Sequence, residues 1–327
     1  MSISPTQASS ESNAETIRAG ATVGDEIVVP GSVANLGGGF DTLGVAVELH
    51  LRARIVDIRD DGRCKLTVAR SVPPVSGGNA VERAFEIAAH RTGRRGPSVM
   101  VDVTSDIPMA AGLGSSAAAS VAGIRVFERV TGVLDDEELL GAATQAEGHA
   151  DNAAPALFGG LNSVVEVAGA SPYALRWPWP QDLRLIVATP AVGLATAKAR
   201  AALPRDVPRG DAIFNMQRVL ALVHALQHGE YDRLREAVKD RLHQSARSSL
   251  VPLLREALAI DDADVLGAFL SGAGPSVALL AKAGATDVAK RLSSMYQQAG
   301  IEAAVRTLGV DDQGSRVLES GIVRRTV

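Results

Sequence analysis

Eighteen consecutive residues, from Ile107 to Ile124, carry no charge. A run of that length belongs either in a membrane or inside a folded domain. Its content decides which. It holds Pro108, three Gly, three Ser and six Ala, far below the hydrophobicity that a membrane span needs. The run must therefore be interior to a domain, and the rest of the chain has to build a core around small side chains. Composition agrees: 46% of residues are hydrophobic but only 3% aromatic, so Ala, Val, Leu and Ile have to fill that core.

The run has internal structure. A strand is expected at Val99–Thr104 and an Ala-rich helix from about Ser115 to Val130. Between them lies Pro108-Met-Ala-Ala-Gly-Leu-Gly-Ser-Ser-Ala117. A glycine loop feeding a helix start gathers free backbone N–H groups, and the helix dipole adds about half a positive charge there. Gly112 and Gly114 allow an anion to approach the backbone, and Ser115 and Ser116 stand beside it. The run thus reads as a phosphate cradle followed by a buried helix. Two other clusters, Pro30-Gly-Ser-Val-Ala-Asn-Leu-Gly-Gly-Gly-Phe-Asp41 and Ser271-Gly-Ala-Gly-Pro-Ser276, hold further glycines. Taken alone, either is explained equally well by turn chemistry. The commoner nucleotide loops are missing. The chain has no Gly-Lys dipeptide, no third glycine after Gly112-Leu-Gly114, no H-R-D or D-F-G, no G-x-S-x-G and no H-E-x-x-H.

The 327 residues suggest two domains. The first half, 21–168, alternates strand and helix signals. Strands are expected at Glu26–Pro30, Val45–Ile58, Lys65–Ala69 and Leu161–Val167. Helices are expected at Asn79–Thr92, with Asn79 and Glu82 as a cap pair, and at Asp135–Glu147, ended by Gly148. Residues 1–20 read as a disordered polar tail and 169–182, with three Pro and both Trp, as a linker. The second half, 183–327, opens with a strand at Leu183–Thr189. Helices follow at Asp211–Gln227, at Glu230–His243 and after Pro252. Strands Val265–Leu270 and Ser276–Leu280, helix Thr286–Ala299 and strand Glu302–Thr307 complete it. Without its helical insertion that order is a split βαβ pattern, βαββαβ, with an antiparallel sheet under helices. The fold class is α+β.

Net charge is -4 with both signs dispersed, which argues against nucleic acid or a polybasic membrane contact. The single Cys64 leaves no disulfide framework or cysteine-rich zinc site and fits a reducing compartment. With no signal-peptide pattern in residues 1–20, a cytoplasmic protein is expected. Of 33 basic residues 28 are Arg, so an individual Arg carries little functional weight without its context.

The motif P-x-x-x-G-L-G-S-S-A resembles the ATP-binding motif of the GHMP kinases, and the other two clusters fall where that superfamily keeps its first and third motifs. Residues 30–41 are similar to the homoserine kinase branch, as are Glu147-Gly-His-Ala-Asp-Asn152, Thr196-Ala-Lys-Ala-Arg200 with Leu203-Pro204, and Arg247 five residues before Pro252. Two positions depart from that pattern. Gly38 stands in place of the usual proline, and Ala195 where a Ser often precedes the Thr.

The resemblance implies a two-domain fold: an N-terminal domain like ribosomal protein S5 domain 2 and a ferredoxin-like C-terminal domain with a helical insertion. It implies ATP and Mg²⁺ as cofactors, L-homoserine as substrate and a homodimer. Asn79, Pro108, Gly112, Leu113, Gly114, Ser115, Ser116, Ala117, Gly272 and Gly274 would hold the nucleotide. Ser115 or Ser116 with Glu147 would hold Mg²⁺; otherwise Glu147 is a solvated carboxylate at an unfavourable helix end. Asn35, Asp41, His149, Asn152, Arg200 and Arg247 would hold the amino acid, the arginines by bidentate pairing with its carboxylate. Asn152, Arg200 and Thr196 would act at the reacting groups. In mevalonate kinase-like relatives an Asp matching Asn152 is proposed as a base, which Asn cannot replace. Catalysis by alignment and charge stabilisation is therefore expected. Open at this point are a kinase for another small alcohol (mevalonate or shikimate), a ligand sensor without turnover, and purely structural glycine loops.

Overall fold

The computed structural model describes residues 20–75 and 78–320; the expected tail lies outside these except for Gly20. The first half forms β1 (Glu26–Ala34), β2 (Leu43–Arg59), β3 (Leu66–Val72), α1 (Ala80–Thr92), β4 (Ser98–Ser105), α2 (Ser115–Thr131), α3 (Asp136–Glu147), α4 (Ala153–Phe158), β5 (Leu161–Val165) and β6 (Tyr173–Trp177). The second half forms β7 (Leu183–Pro190), α5 (Thr196–Ala201), α6 (Arg209–His228), α7 (Leu234–Ala237), α8 (Gln244–Arg247), α9 (Leu254–Leu258), β8 (Val265–Leu270), β9 (Val277–Lys282), α10 (Thr286–Gln298), β10 (Ala303–Leu308) and β11 (Arg316–Leu318).

Two sheets result. The larger runs β11-β1-β2-β4-β3, with β5 and β6 added through β2. The smaller runs β10-β7-β9-β8 and is antiparallel throughout, as the split βαβ order requires. Ten of the seventeen residues of α2 are buried, which accounts for the uncharged run. Its Gly123 is packed so closely under α1 that a Cβ there would lie 2.0 Å from the Val81 carbonyl. Small side chains let the two helices nearly touch. The main core, from Ile27 through Phe127 to Leu280, is continuous across both sheets, so the cleft between the halves sits on a rigid base.

Several expectations need correction. β1 continues past Pro30 to Ala34, with a bulge between Pro30 and Gly31, so the first glycine cluster begins as strand. Asn79 does cap α1 by accepting the Val81 N–H, but Glu82 reaches across to the Val68 N–H on β3 instead of back to the cap. At α3 a full capping box forms between Asp135 and Glu138. The segment read as a linker carries β6, which pairs with β5 because Tyr173–Trp177 can cover an otherwise open strand edge. At the far end of the chain, β11 returns to pair with β1 in the first sheet.

No single helix spans 230–243. A 3₁₀ turn at Tyr231–Arg233 and α7 are followed by a turn. There the Asp240 carboxylate takes the backbone N–H groups of Leu242, His243 and Gln244. An aspartate that captures local N–H groups competes with the helix ladder, and here it wins. The short α4 and α5 were not foreseen. Among the described residues no helix is long and apolar enough to cross a membrane.

Candidate active site between the two halves

The three glycine clusters meet. Ser32 N–H donates to the Leu113 carbonyl, Gly272 N–H to Ala34, and Ser276 N–H to Ala111. Ser271 Oγ donates to the Gly112 carbonyl at 2.6 Å. Gly112 has φ +73°, and a Cβ on it would lie 2.4 Å from the Ser271 carbonyl oxygen. This position requires glycine twice over, for its left-handed backbone and for the close approach of the third cluster. Gly114, also left-handed at φ 70°, starts α2 without any side-chain cap. The first N–H groups of the helix therefore face the loop, and among the described residues no side chain caps them.

These loops form one end of a cleft of about 300 Å³. Gly112, Gly114, Ser115, Ser116, Ala117, Glu147, Gly272 and Gly274 line that end, along with Arg83. Three residues expected on the nucleotide are elsewhere. Asn79 spends its side-chain oxygen on the α1 cap. Pro108 lines a separate groove against 189–193 and 302–306. Leu113 is a core side chain, 1% exposed. Glu147 closes α3, where Ser116 Oγ (3.0 Å) and Ser120 Oγ (2.6 Å) both donate to its Oε1. A carboxylate and a hydroxyl from different helices thus already share one place, a hard-oxygen pair that suits Mg²⁺. Among the described residues no group of three or more His, Cys, Asp or Glu gathers to hold a metal. A cation at Glu147 would have to draw its remaining ligands from hydroxyls, water and phosphate.

The other end of the cleft is made of side chains. Asp41 and Arg200 form a bidentate pair at 2.9 and 2.8 Å, each side chain about a third exposed. The Asp41 hydrogen bond pushes the Arg200 guanidinium further up, so it stays charged. Asp41 has φ 52° and Asn35 φ 74°. The loop holds this shape because Asn35 Oδ1 accepts the Asp41 N–H while its Nδ2 donates to the Gly272 carbonyl. Arg247 is buried beneath them, yet borders the cleft. Phe40 is close to both guanidinium groups, its ring centre 5.8 Å from Arg200 and 5.3 Å from Arg247. Thr196 lines the wall on α5.

His149 and Asn152 occupy the middle. Asp151, to which the sequence reading gave no role, accepts from His149 Nδ1 at 2.7 Å and from the Asn152 N–H and side-chain amide. That hydrogen bond raises the His149 pKa above its ordinary value, against the effect of burial. Asn152 Oδ1 in turn accepts from Ser32 Oγ at 2.9 Å. Asp151 and Ser32 were legible only as parts of longer motifs, and Arg83 only as a position in the helix expected at 79–92; no spacing singles them out.

Residues 79–160 match the family described as GHMP kinases N terminal domain, and 222–298 match GHMP kinases C terminal. Homoserine kinase of Thermus thermophilus is 37% identical over 289 residues, covering 88% of this chain and 96% of that one. Homoserine kinase of Deinococcus radiodurans is 40% identical over 250 residues, covering 76% and 81%. The crystal structure of homoserine kinase from Cytophaga hutchinsonii superposes with a TM-score of 0.80 at 26% identity, covering 91% of this chain and 98% of that one. A glycine-loop cleft on this fold, with the reported relatives matched over 81 to 98% of their length, places the chain in the homoserine kinase family of the GHMP kinases.

Proposed function

We propose that the protein transfers the γ-phosphoryl group of ATP to the side-chain hydroxyl of L-homoserine, giving O-phospho-L-homoserine. The observation that carries the substrate is the Asp41–Arg200 pair beside Arg247, facing the uncapped start of α2 across one cleft. An amino acid is a zwitterion, and a fixed acid–base pair offers each of its charges a partner. Mevalonate and shikimate have no ammonium group and would leave Asp41 without one.

In this reading the glycine loop and the N–H groups of Ser115, Ser116 and Ala117 hold the phosphates, and Gly272 and Gly274 close the loop from the other side. Ser116 and Glu147, with Ser115 adjacent, would hold Mg²⁺. When bound, the ion would neutralise phosphate charge as the bond to the leaving oxygen breaks. Arg247 and Arg200 take the α-carboxylate, Asp41 and Asn35 the α-ammonium. This fixes the hydroxyl toward His149 and Asn152. Thr196 stands at the same wall.

In this reading neither central side chain serves as the base. Asn152 has no basic atom at neutral pH. The Asp151 hydrogen bond raises the His149 pKa, which favours a ring that stabilises negative charge on the phosphoryl group. Acceleration then comes from alignment and electrostatics, and the hydroxyl proton passes to a phosphoryl oxygen as transfer completes.

The test is ADP release with L-homoserine, mevalonate, shikimate and L-serine in parallel, with and without a chelator. Homoserine-dependent turnover that stops on chelation supports both parts of the reading. Turnover of mevalonate alone overturns the substrate, no turnover with any overturns the enzyme, and full activity in chelator overturns Mg²⁺. A pH–rate limb near neutrality, with activity abolished in both Asn152→Ala and Asn152→Asp, would reveal a side-chain base.

A further inference from the structure

Arg247 has five N–H donors, and their allocation is visible. Nε donates to the Ala199 carbonyl at 3.2 Å. The two hydrogens of Nη1 go to the Gly272 carbonyl and to His243 Nδ1, both at 3.2 Å. Among the described residues Nη2 donates to nothing, and Arg247 borders the cleft. The guanidinium is therefore held by three bonds on two edges, with its last pair of donors left for a ligand.

His243 is fully buried. Its Nε2 lies 2.9 Å from the Gly37 carbonyl, which can only accept. The Nε2 hydrogen is thus committed there, and Nδ1 must carry the lone pair that Arg247 needs. The ring is delivered to this place by the Asp240 turn, whose carboxylate accepts the His243 N–H at 2.9 Å and the Asn215 Nδ2 at 2.8 Å. It stacks on Phe40 with ring centres 5.1 Å apart. Asn215 Nδ2 also donates to the Gly38 carbonyl. One imidazole therefore ties the first glycine cluster to the arginine of α8.

We infer that His243, as the neutral Nε2–H tautomer, is a positioning residue that sets the orientation of Arg247 and thereby selects alcohols bearing a carboxylate. This rests on the reading of Arg247 as the fork for the substrate carboxylate. His243 itself touches no reacting atom. Without the Nδ1 acceptor the guanidinium loses one of its three tethers, and the free Nη2 edge is no longer fixed toward the cleft.

The test compares His243→Gln with His243→Asn on L-homoserine and on 3-aminopropan-1-ol, which is homoserine without its carboxylate. Gln places a donor where Nε2 was and leaves Nδ1 unreplaced; Asn places an oxygen at the Nδ1 position. His243→Gln should raise KM for homoserine about 10-fold or more, leaving kcat and KM for ATP within about 3-fold, whereas His243→Asn should stay within about 3-fold on all. Neither variant should change KM for 3-aminopropan-1-ol. Equal losses on both alcohols, or an unchanged homoserine KM in His243→Gln, would overturn the inference. Arg247→Lys is the separate control: an unchanged homoserine KM there removes the underlying reading instead. Should His243→Gln not fold, ¹⁵N NMR of the wild-type imidazoles still decides. A neutral Nε2–H ring whose Nδ1 signal moves on adding homoserine supports the inference, and an Nδ1–H tautomer overturns it.

Discussion

The two ends of the cleft are built from different materials. The end proposed for the nucleotide is mostly backbone, glycines, alanines and two serines whose three loops are bonded to each other, with Glu147 and Arg83 as its charged side chains. The end proposed for homoserine is side chains: Asp41, Arg200, Arg247 and His149, each held by a second charged or polar group. Backbone sites recognise what every nucleoside triphosphate shares, whereas side-chain sites can be fitted to one small molecule. The difference also sets how each end fails. Crowding breaks the first; loss of one charge or one hydrogen bond breaks the second.

The largest expected effect breaks the backbone end. In Gly112→Ala the new Cβ meets the Ser271 carbonyl at 2.4 Å from a left-handed residue, and neither backbone can give way without shifting a cluster. We expect a loss of about 2–3 kcal/mol in stability and a fall of about 100-fold or more in kcat/KM. Thermal unfolding and steady-state kinetics would register these. Because the third cluster also carries the Gly272 carbonyl that orients Arg247, KM should rise for both substrates. A rise for ATP alone would mean that the ends are less coupled than the hydrogen bonds imply.

Asp41→Asn addresses the other end and should separate the two. It removes the charge paired with Arg200 and, in the proposed function, with the substrate ammonium, while retaining similar size. Homoserine KM should rise by about 30–100-fold, with KM for ATP within about 2-fold. An equal rise for both would show that Asp41 shapes the loop more than it binds substrate.

The contrast in materials explains what could be read in advance. A backbone site leaves a compositional trace, so the uncharged 107–124 run and the three glycine clusters pointed to one another before any fold was known. The side-chain end draws on positions 41, 149, 200 and 247, which only folding brings together; with 28 arginines, nothing local separates Arg200 or Arg247 from the rest. Their motif context did so. Features with neither trace nor motif were missed. The break after α7 depends on one Asp240 carboxylate taking three N–H groups, and β6 depends on an edge supplied by β5. Periodicity registers apolar faces, and both features are polar or topological events.

A third region serves as a control, because it joins the two halves away from the residues that line the cleft. Asp311 accepts from His50 Nε2 at 2.7 Å and Arg316 Nη1 at 3.0 Å, and takes the N–H groups of Gln313 and Gly314, on the path that returns β11 to the first sheet. Burial pushes its carboxyl up, but the His50 hydrogen bond, the Arg316 charge and the Gly314 N–H outweigh burial and hold it at about 2 against an ordinary 3.8. The folded pKa is the lower one. The contribution, about 2 kcal/mol, is thus fully present above pH 4 and lost as pH falls toward 2. Asp311→Asn should lower stability by about that amount at pH 7 and flatten the acid limb of a denaturation series, while both KM values stay unchanged. A selective change in one KM would place the seam inside one of the two sites.

The smallest effect sharpens the comparison from the side-chain end. α5 carries Thr196 and Arg200 but is only six residues long, and its N-cap, Ala195, is extended (φ −68°, ψ 133°) with no side chain to bond the first turn. The backbone is already in the geometry that a capping hydroxyl uses, and Ala195 is exposed, so a Ser there meets no crowding. Ala195→Ser should stabilise α5 by about 0.5–1 kcal/mol through a hydrogen bond to an N–H of its first turn. Native-state hydrogen exchange of residues 196–201 should slow by a matching few-fold, with little movement in the global unfolding midpoint. If a firmer α5 presents Arg200 more rigidly to Asp41 and the substrate carboxylate, KM for homoserine should fall about 2-fold, with KM for ATP unchanged. The cap on α5 adds nothing to the glycine loops, so a parallel fall in KM for ATP would contradict the division of the cleft into a backbone end and a side-chain end.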